Sequence, residues 1–191
     1  MDKLLDRMVS YLKKDDIDLD ETEVIKYGLE IIILKFIFWM SSLSVGILMG
    51  CFIESVIYIA LFTVLRSYAG GYHAKSRIKC FIQSMFTVIV AMLLLKLAGT
   101  YYIFSILLFI PTVFFSILIW KFAPVDTKNK ILESDENIKF KKKTRIILSL
   151  EIILAFIAYY LDFIILSAPT MLAINTSGIL LLVGYINKND Y

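Results

Sequence analysis

The sequence predicts an all-α polytopic membrane protein of about six transmembrane helices, and three features of the chain point to that class. Hydrophobic residues make up 59% of the 191 residues and charged residues 19%, whereas soluble domains have roughly 45–50% and about 25%. The apolar residues fall into six long runs, and lysine and arginine gather at one end of those runs. Intrinsic disorder and a disulfide-stapled fold are excluded, since the chain is apolar and has only two cysteines. A net charge of +3 without a basic face argues against a nucleic-acid-binding protein.

Each of the six apolar runs approaches the roughly 20 residues that a helix needs to cross about 30 Å of hydrocarbon. The predicted spans are residues 31–50, 52–69, 81–98, 101–120, 146–161 and 163–186. A helix is expected in each run because it satisfies its own backbone hydrogen bonds inside lipid. Only a residue or two separates the first span from the second, the third from the fourth, and the fifth from the sixth. We therefore predict three tight hairpins in a single membrane domain that covers residues 1–191.

The basic residues predict how these helices are oriented in the membrane. Of the 20 lysines and arginines, 18 lie in the N-terminal segment, the two long connections and the C-terminal tail. Lys96 is the one basic residue in the opposite turns, and Lys35 lies inside the first span. We therefore expect both termini and both long connections to be cytoplasmic.

Residues 1–29 are predicted to form a cytoplasmic segment that begins with an amphipathic interfacial helix. The apolar side chains between Met1 and Leu12 share one helical face, and the charged side chains share the other. A helix on the lipid surface and a helix packed on the rest of the protein both fit this pattern. No cleavable signal peptide is expected, because residues 1–14 lack an apolar core and a small-residue cleavage site.

The connection of residues 66–80 is the most unusual stretch of the chain. It holds the single histidine, His73, and one of the two cysteines, Cys80. Gly70 and Gly71 are predicted to break the second helix where it leaves the membrane.

Ser76 is a candidate N-cap for a helix that continues into the third span, which places Cys80 just past the first turn of that helix. The helix dipole and neighbouring lysines would favour a thiolate there. His73 and Cys80 would lie about 10.5 Å apart along one continuous helix, so a hydrogen-bonded pair requires the chain to bend between them. A bent chain would let the imidazole accept the thiol proton and later protonate a leaving amine. Spacing alone also fits a buried structural cysteine beside an interfacial histidine.

The run from Arg66 to Cys80 resembles the AgrB (accessory gene regulator B) family of bacterial membrane peptidases. The pattern that carries the resemblance is Arg-x3-Gly-Gly-x-His-x6-Cys. Chain length, multiple spans and a lysine-rich central segment extend the resemblance over nearly the whole chain. The resemblance implies that Cys80 is the nucleophile and His73 its base, with Arg66 and Gly71 in structural roles. A third catalytic member stays unassigned, and the possible orienters by residue type are Ser67, Ser76, Gln83 and Asp126.

The same resemblance implies a function in the bacterial cell membrane. A cysteine endopeptidase of this kind removes the C-terminal tail of an AgrD-like precursor peptide through a thioester on Cys80. The precursor's own cysteine or serine then attacks the thioester and yields a cyclic quorum-sensing thiolactone or lactone. A homodimer is also implied. No cofactor is expected, and no metal site either, since the chain lacks a Cys-x2-Cys pair and a histidine cluster.

Residues 121–145 are predicted to form a basic cytoplasmic loop that contains Lys141, Lys142 and Lys143. These lysines orient the protein and meet anionic lipid, at about 1 kcal/mol per charge near the surface. A direct role in holding the acidic tail of a precursor is the functional alternative.

Three further features have open or structural interpretations. Ser42, Gly46 and Gly50 form a small-residue stripe that suits an intrachain contact or a dimer seam. Cys51 and Glu54 are expected on the outer side, so a disulfide between Cys51 and Cys80 would have to cross the bilayer.

The rival function is a non-enzymatic transporter or exporter of a small peptide. It would require polar residues or broken helices near the membrane midplane. Pro111 and the residues 175–178 are the only candidates for such features in the sequence.

Overall fold

The computed structural model describes residues 19–71, 77–100, 102–125 and 134–186. The predicted N-terminal amphipathic helix lies outside these residues, as do His73, Ser76 and Asp126. The described chain is helical and contains no strand. Its six helices are α1 (Leu19–Met49), α2 (Phe52–Ala69), α3 (Arg77–Thr100), α4 (Tyr102–Phe122), α5 (Ser134–Tyr160) and α6 (Ile164–Ile186). The predicted all-α membrane class is therefore confirmed.

Four of these helices, α1, α2, α3 and α6, are long and apolar enough to cross a membrane, and α4 contains a shorter apolar helix, Ile106–Phe122. Large hydrophobic side chains, such as Phe86 of α3, Ile110 of α4 and Phe156 of α5, are exposed on the outer faces. Apolar surface on this scale is foreign to a water-soluble monomer. Such a surface is suited to contact with the hydrocarbon of a lipid bilayer.

Several helices extend beyond the predicted spans. Helix α1 begins at Leu19 rather than at residue 31, and α5 begins at Ser134 rather than at residue 146. Parts of the predicted segments 1–29 and 121–145 are therefore helical, as are both ends of the segment 66–80. Hydropathy detects only the apolar part of a helix, whereas glutamate and lysine continue the helix because they are good helix formers.

Helix α1 runs across the boundary between two compact units, residues Met1–Ser41 and Ser42–Tyr191. In the second unit, Gly46 packs on α2, where a Cβ added to Gly46 would lie 2.6 Å from Cβ of Ser55. The close approach of α1 and α2 there requires a glycine. Of the two interpretations of the small-residue stripe, the intrachain contact is therefore the one that Gly46 makes.

Helix α6 is the centre of the second unit, where it packs against α2, α3, α4 and α5. All residues from Ser167 to Gly178 are buried. A Cβ added to Gly178 would lie 2.5 Å from Cβ of Phe115, so α4 approaches α6 through a missing side chain. The buried small residues of α6 thus permit close helix packing.

Candidate functional site

Helix α2 ends because two consecutive glycines take backbone angles that other residues avoid. Gly70 has a φ of +70° and Gly71 a φ of +117°. The N–H of Gly70 donates to the carbonyl of Arg66 at 3.3 Å, which closes the last turn of the helix. Positive φ angles are accessible to glycine at little cost. The predicted helix break at Gly70-Gly71 is therefore confirmed.

The chain that follows α4 is bonded to this turn. The N–H of Val125 donates to the carbonyl of Ala69 at 3.1 Å, and Gly70 and Val125 form a parallel β-bridge. A Cβ on Gly70 would overlap the Val125 carbonyl oxygen. The connection after α2 and the connection after α4, which are far apart in the sequence, are thus joined through their backbones. Nothing in the sequence marks Val125 for this contact.

Gly71 lies between the side chain of Arg66 and the backbone of α6. A Cβ on Gly71 would be 2.5 Å from Nη1 of Arg66, 2.9 Å from the carbonyl oxygen of Leu180 and 3.0 Å from Cα of Leu181. Nη1 of Arg66 is itself buried, although the residue occupies the last turn of α2. A side chain at position 71 would therefore displace the guanidinium or α6. The resemblance implied structural roles for Arg66 and Gly71, but it did not predict the contact of Gly71 with α6.

Cys80 lies close to this buried guanidinium. Because α3 begins at Arg77, Cys80 occupies the first helical turn, where it is a partly exposed, free thiol. The guanidinium of Arg66 and the side chain of Cys80 interact electrostatically. The first turn of a helix also presents backbone N–H groups that lack partners within the helix, and the helix dipole favours negative charge there. The fold thus brings Arg66 and Cys80 together from two helices, at a place suited to holding negative charge.

A cluster of buried apolar residues supports this end of the bundle. Its members come from α2, α4, α5, α6 and the segment after α4, and they are Leu65, Ala69, Ile119, Ala123, Val125, Leu148, Ile174 and Leu181. Leu65 and Ala69 flank Arg66 on α2, and Leu181 touches Gly71. Close packing of this cluster fixes the end of α2 that carries Arg66.

The basic start of α5 borders the same region. Nζ of Lys143 lies 5.1 Å from the ring centroid of Tyr68, and that ring packs on Phe140 at 5.7 Å. The distance is typical of a cation–π contact. Tyr68 precedes Gly70 by two residues, so Lys143 stands beside the glycine turn although it is remote in sequence. Lys142 is exposed and Lys141 is partly buried.

Cys51 occupies a different environment. Its thiol donates to Sδ of Met92 at 3.8 Å, and the residue is 5% exposed. Met92 follows Cys80 on α3 by about 18 Å along the helix axis. A disulfide between Cys51 and Cys80 is therefore excluded, because bridged cysteines have Cα atoms about 4.4–6.8 Å apart. Both thiols are free.

Nearby charges further distinguish the end of the bundle that carries Cys51 from the end that carries Cys80. Burial raises the pKa of the Cys51 thiol, and the negative charge of Glu54 raises it further, whereas Lys96 acts in the opposite direction. Glu54 and Lys96 thus lie near Cys51, far from Cys80, as the predicted hairpins require. The predicted catalytic partner of Cys80, His73, lies outside the described residues.

The chain is similar to one protein family and to several individual proteins. A family model described as AgrB, accessory gene regulator B, matches residues 5–185. The AgrB-like protein 2 of Clostridium perfringens strain 13 is 31% identical over 165 residues, which cover 82% of this chain and 77% of that protein. An AgrB-like protein of Clostridium perfringens strain SM101 is 32% identical over 168 residues, which cover 84% of this chain and 78% of that protein. No solved structure matches the chain significantly.

Proposed function

The chain belongs to the accessory gene regulator B family, whose members process the accessory gene regulator autoinducer, and on that premise we propose that it is a membrane cysteine endopeptidase with Cys80 as its nucleophile. The substrate is a short precursor peptide, AgrD-like, with an amphipathic N-terminal part and an acidic C-terminal tail. The observation that carries the proposal is the position of Cys80, a free and partly exposed thiol in the first turn of α3, where it interacts electrostatically with Arg66 of α2.

The first half of the reaction releases the tail of the precursor. The sulfur of Cys80 attacks a backbone carbonyl carbon while the imidazole of His73 accepts the thiol proton. Negative charge develops on the carbonyl oxygen, and backbone N–H groups of the first turn of α3 are the nearest donors by position. The carbon–nitrogen bond then breaks, His73 returns the proton to the leaving amine, and the peptide remains as a thioester on Cys80.

The second half closes the ring. The sulfur or oxygen of the precursor's own cysteine or serine attacks the thioester, and the Cys80 thiol is regenerated. A thiolactone forms by exchange of one thioester for another, so no external energy source is required. Exclusion of water from a site at the membrane boundary favours ring closure over hydrolysis.

Arg66 and Gly71 act as positioning residues in this proposal. Gly71 leaves room for the guanidinium, and the guanidinium neighbours Cys80. Lys141, Lys142 and Lys143 attract the acidic tail, and Lys143 is already placed beside Tyr68 at the end of α2. We place this end of the bundle and both termini in the cytoplasm, because 18 of the 20 lysines and arginines lie in the segments on that side. A homodimer in the bacterial cell membrane completes the proposal.

Substitution of each cysteine tests the assignment. The assay uses purified protein in lipid nanodiscs and a synthetic test precursor with an amphipathic helix, one cysteine and an acidic tail. Cys80→Ser is expected to abolish tail release, whereas Cys51→Ser leaves it within about twofold, since the Cys51 thiol contacts Met92, away from Cys80. Equal losses in both variants at equal protein levels would contradict the assignment of Cys80. A transporter without peptidase activity would release no tail in any variant.

A further inference from the structure

Arg145 of α5 and Trp120 of α4 meet at one end of the two helices. Cζ of Arg145 lies 5.0 Å from the centroid of the Trp120 ring, a distance typical of a cation–π contact. Trp120 ends the apolar run of α4, and Arg145 directly precedes the apolar run of α5. The pair therefore lies where both helices leave the hydrocarbon, the level at which tryptophan is enriched in membrane proteins.

The guanidinium of Arg145 has an open outer edge and no nearby carboxylate on its own two helices. Nε is buried without a hydrogen bond to any residue that the structure describes, whereas neither Nη atom is, and the residue as a whole is partly exposed. Helix α4 contains no aspartate or glutamate, and neither do residues 137–150 of α5. The ring thus holds the guanidinium in place, and its Nη atoms are available to an anion from outside the protein.

An exposed apolar stripe continues from this pair along both helices. On α4, Ile117 and Val113 lie three and seven residues before Trp120, and both are exposed. On α5, the exposed Phe156 lies eleven residues after Arg145. These spacings put each side chain on the helix face that carries Trp120 or Arg145. Because the cation–π contact brings the two faces side by side, the stripe runs about 16 Å into the membrane from the guanidinium.

The two helices are held together at both ends of this stripe. At the far end, the rings of Phe109 and Tyr159 stack with their centroids 5.3 Å apart. On the inner side, Ile119 and Leu148 belong to the same buried apolar cluster. The stripe is therefore a fixed surface, and a ligand that lies on it does not have to order the protein first.

We propose that Arg145 and Trp120 bind the headgroup phosphate of an anionic phospholipid, of the phosphatidylglycerol type, whose acyl chain lies on this apolar stripe. The guanidinium donates N–H groups to the phosphate oxygens, and the chain covers the exposed side chains below it. A soluble anion satisfies the guanidinium but leaves the stripe uncovered. A zwitterionic lipid covers the stripe, but its own cationic group is repelled by the guanidinium. The site goes beyond the proposed peptidase and does not depend on it.

Tryptophan fluorescence measures the site directly. The chain has two tryptophans, so Trp39→Phe leaves Trp120 as the single reporter, and Trp120 is 45% exposed. The full-length variant is reconstituted in phosphatidylcholine vesicles with increasing fractions of brominated phosphatidylglycerol or equally brominated phosphatidylcholine, whose bromines quench a tryptophan on contact. Phosphatidylglycerol is expected to quench Trp120 with an apparent association constant about fivefold higher than that of phosphatidylcholine. Equal quenching by the two lipids would overturn the proposal.

Substitutions of Arg145 in the same background separate a built site from surface charge. Arg145→Gln should remove the preference for phosphatidylglycerol, and Arg145→Lys should reduce it by about half or more, because lysine lacks the planar fork of donors. Lys139→Gln is the matched control, since it removes one positive charge from an exposed position of α5 about 9 Å away along the axis. Its preference should stay within about 1.5-fold of the parent. Equal losses in Lys139→Gln and Arg145→Gln would overturn the site. Unchanged quenching by brominated phosphatidylcholine shows that each variant is correctly inserted.

Competition distinguishes the lipid from soluble anions. Inorganic phosphate, or a synthetic peptide with an acidic tail, should lower the preference for phosphatidylglycerol no more than sodium chloride does at the same ionic strength. A larger loss with either soluble anion would assign the guanidinium to that anion and overturn the lipid assignment. These measurements involve no catalytic step, so Cys80→Ser should show the same preference as its parent.

Discussion

The two free thiols of this protein, Cys51 and Cys80, lie in opposite kinds of environment. Cys51 contacts Met92, which lies about 18 Å from Cys80 along the axis of α3. Cys51 is buried against Met92, and its nearest charge effects come from Glu54 and Lys96. Cys80 is partly exposed in the first turn of a helix, next to a buried guanidinium. The residue type is the same, so the difference in their chemistry comes from the surroundings. A thiol becomes a nucleophile through exposure and nearby positive charge, and it stays inert when burial opposes its ionisation.

Apart from loss of the Cys80 nucleophile itself, substitution of Gly71 is expected to have the largest effect on tail release. Gly71→Ala puts a Cβ against Arg66 and α6 at a φ of +117°. Left-handed strain of about 1–3 kcal/mol adds to this overlap, so tail release should fall about tenfold or more. Gly99→Ala is the matched control, since a Cβ there meets nothing within 4 Å. The measurement is kcat for cleavage of the test precursor by the two purified variants. Similar activities would show that the close approach of Gly71 to Arg66 does not position the site.

Alkylation rates compare the two thiols directly. We expect maleimide to react about tenfold faster or more with Cys80 in Cys51→Ser than with Cys51 in Cys80→Ser, because Cys51 is 5% exposed and burial disfavours its thiolate, whereas Cys80 is partly exposed. Because the pKa of Cys51 is raised above its ordinary value of 9.0, the reaction rate of Cys51 should go on rising with pH past that value before it levels off. Mass spectrometry of quenched time points at several pH values supplies the rates. A faster reaction at Cys51 near neutral pH would contradict the contrast between the two ends.

Two charges near Cys51 sharpen that comparison. Glu54→Gln removes a negative charge that raises the pKa of Cys51, so the midpoint of its pH–rate profile should move down. Lys96→Gln removes the opposing positive charge and should move the midpoint up. Neither change should alter the profile of Cys80, which lies beyond the Debye length of about 8 Å at physiological salt. A shift of Cys80 by the same amount would mean that the two ends are coupled.

Neutralisation of the lysines at the start of α5 should have the smallest effect. Replacement of Lys141, Lys142 and Lys143 by glutamine should raise KM about threefold for an acidic-tailed precursor and leave kcat unchanged, because exposed charges contribute little each. The effect should vanish for a precursor whose tail acids are amidated and should shrink at higher salt. Lys143→Gln alone should account for more of the effect than Lys142→Gln, since only Lys143 packs on Tyr68 among the described ring contacts. Equal KM increases for both precursors would leave these lysines with a topological role alone.

Much of the fold follows from the sequence, because apolar runs of nearly constant length leave few alternatives in lipid. The six helices match the six runs, and Gly70-Gly71 marks the end of α2 correctly. The helix start at Ser134 was missed, since the first turn of this helix is polar and carries no hydropathy signal.

The site itself is only partly readable from the sequence. The resemblance to a known family singles out Arg66, Gly71 and Cys80, but the contacts of Gly70 with Val125 and of Gly71 with Leu180 and Leu181 join segments far apart in the chain. Backbone atoms make these contacts, so the identity of the partner side chains gives no clue to them. The burial of Asn175 likewise depends on how α6 packs against α4.

Trapping of the acyl-enzyme tests the central claim most directly. A test precursor whose cyclising cysteine is replaced by alanine lacks the internal nucleophile that would release the thioester. Incubation with the wild-type protein should therefore release the tail and leave the remaining peptide attached to Cys80, in a form that hydroxylamine removes. Peptide mapping by mass spectrometry should find the adduct on Cys80 in wild type and in Cys51→Ser, and nowhere in Cys80→Ser. Release of the tail with no adduct on Cys80, or an adduct on Cys51, would contradict the account.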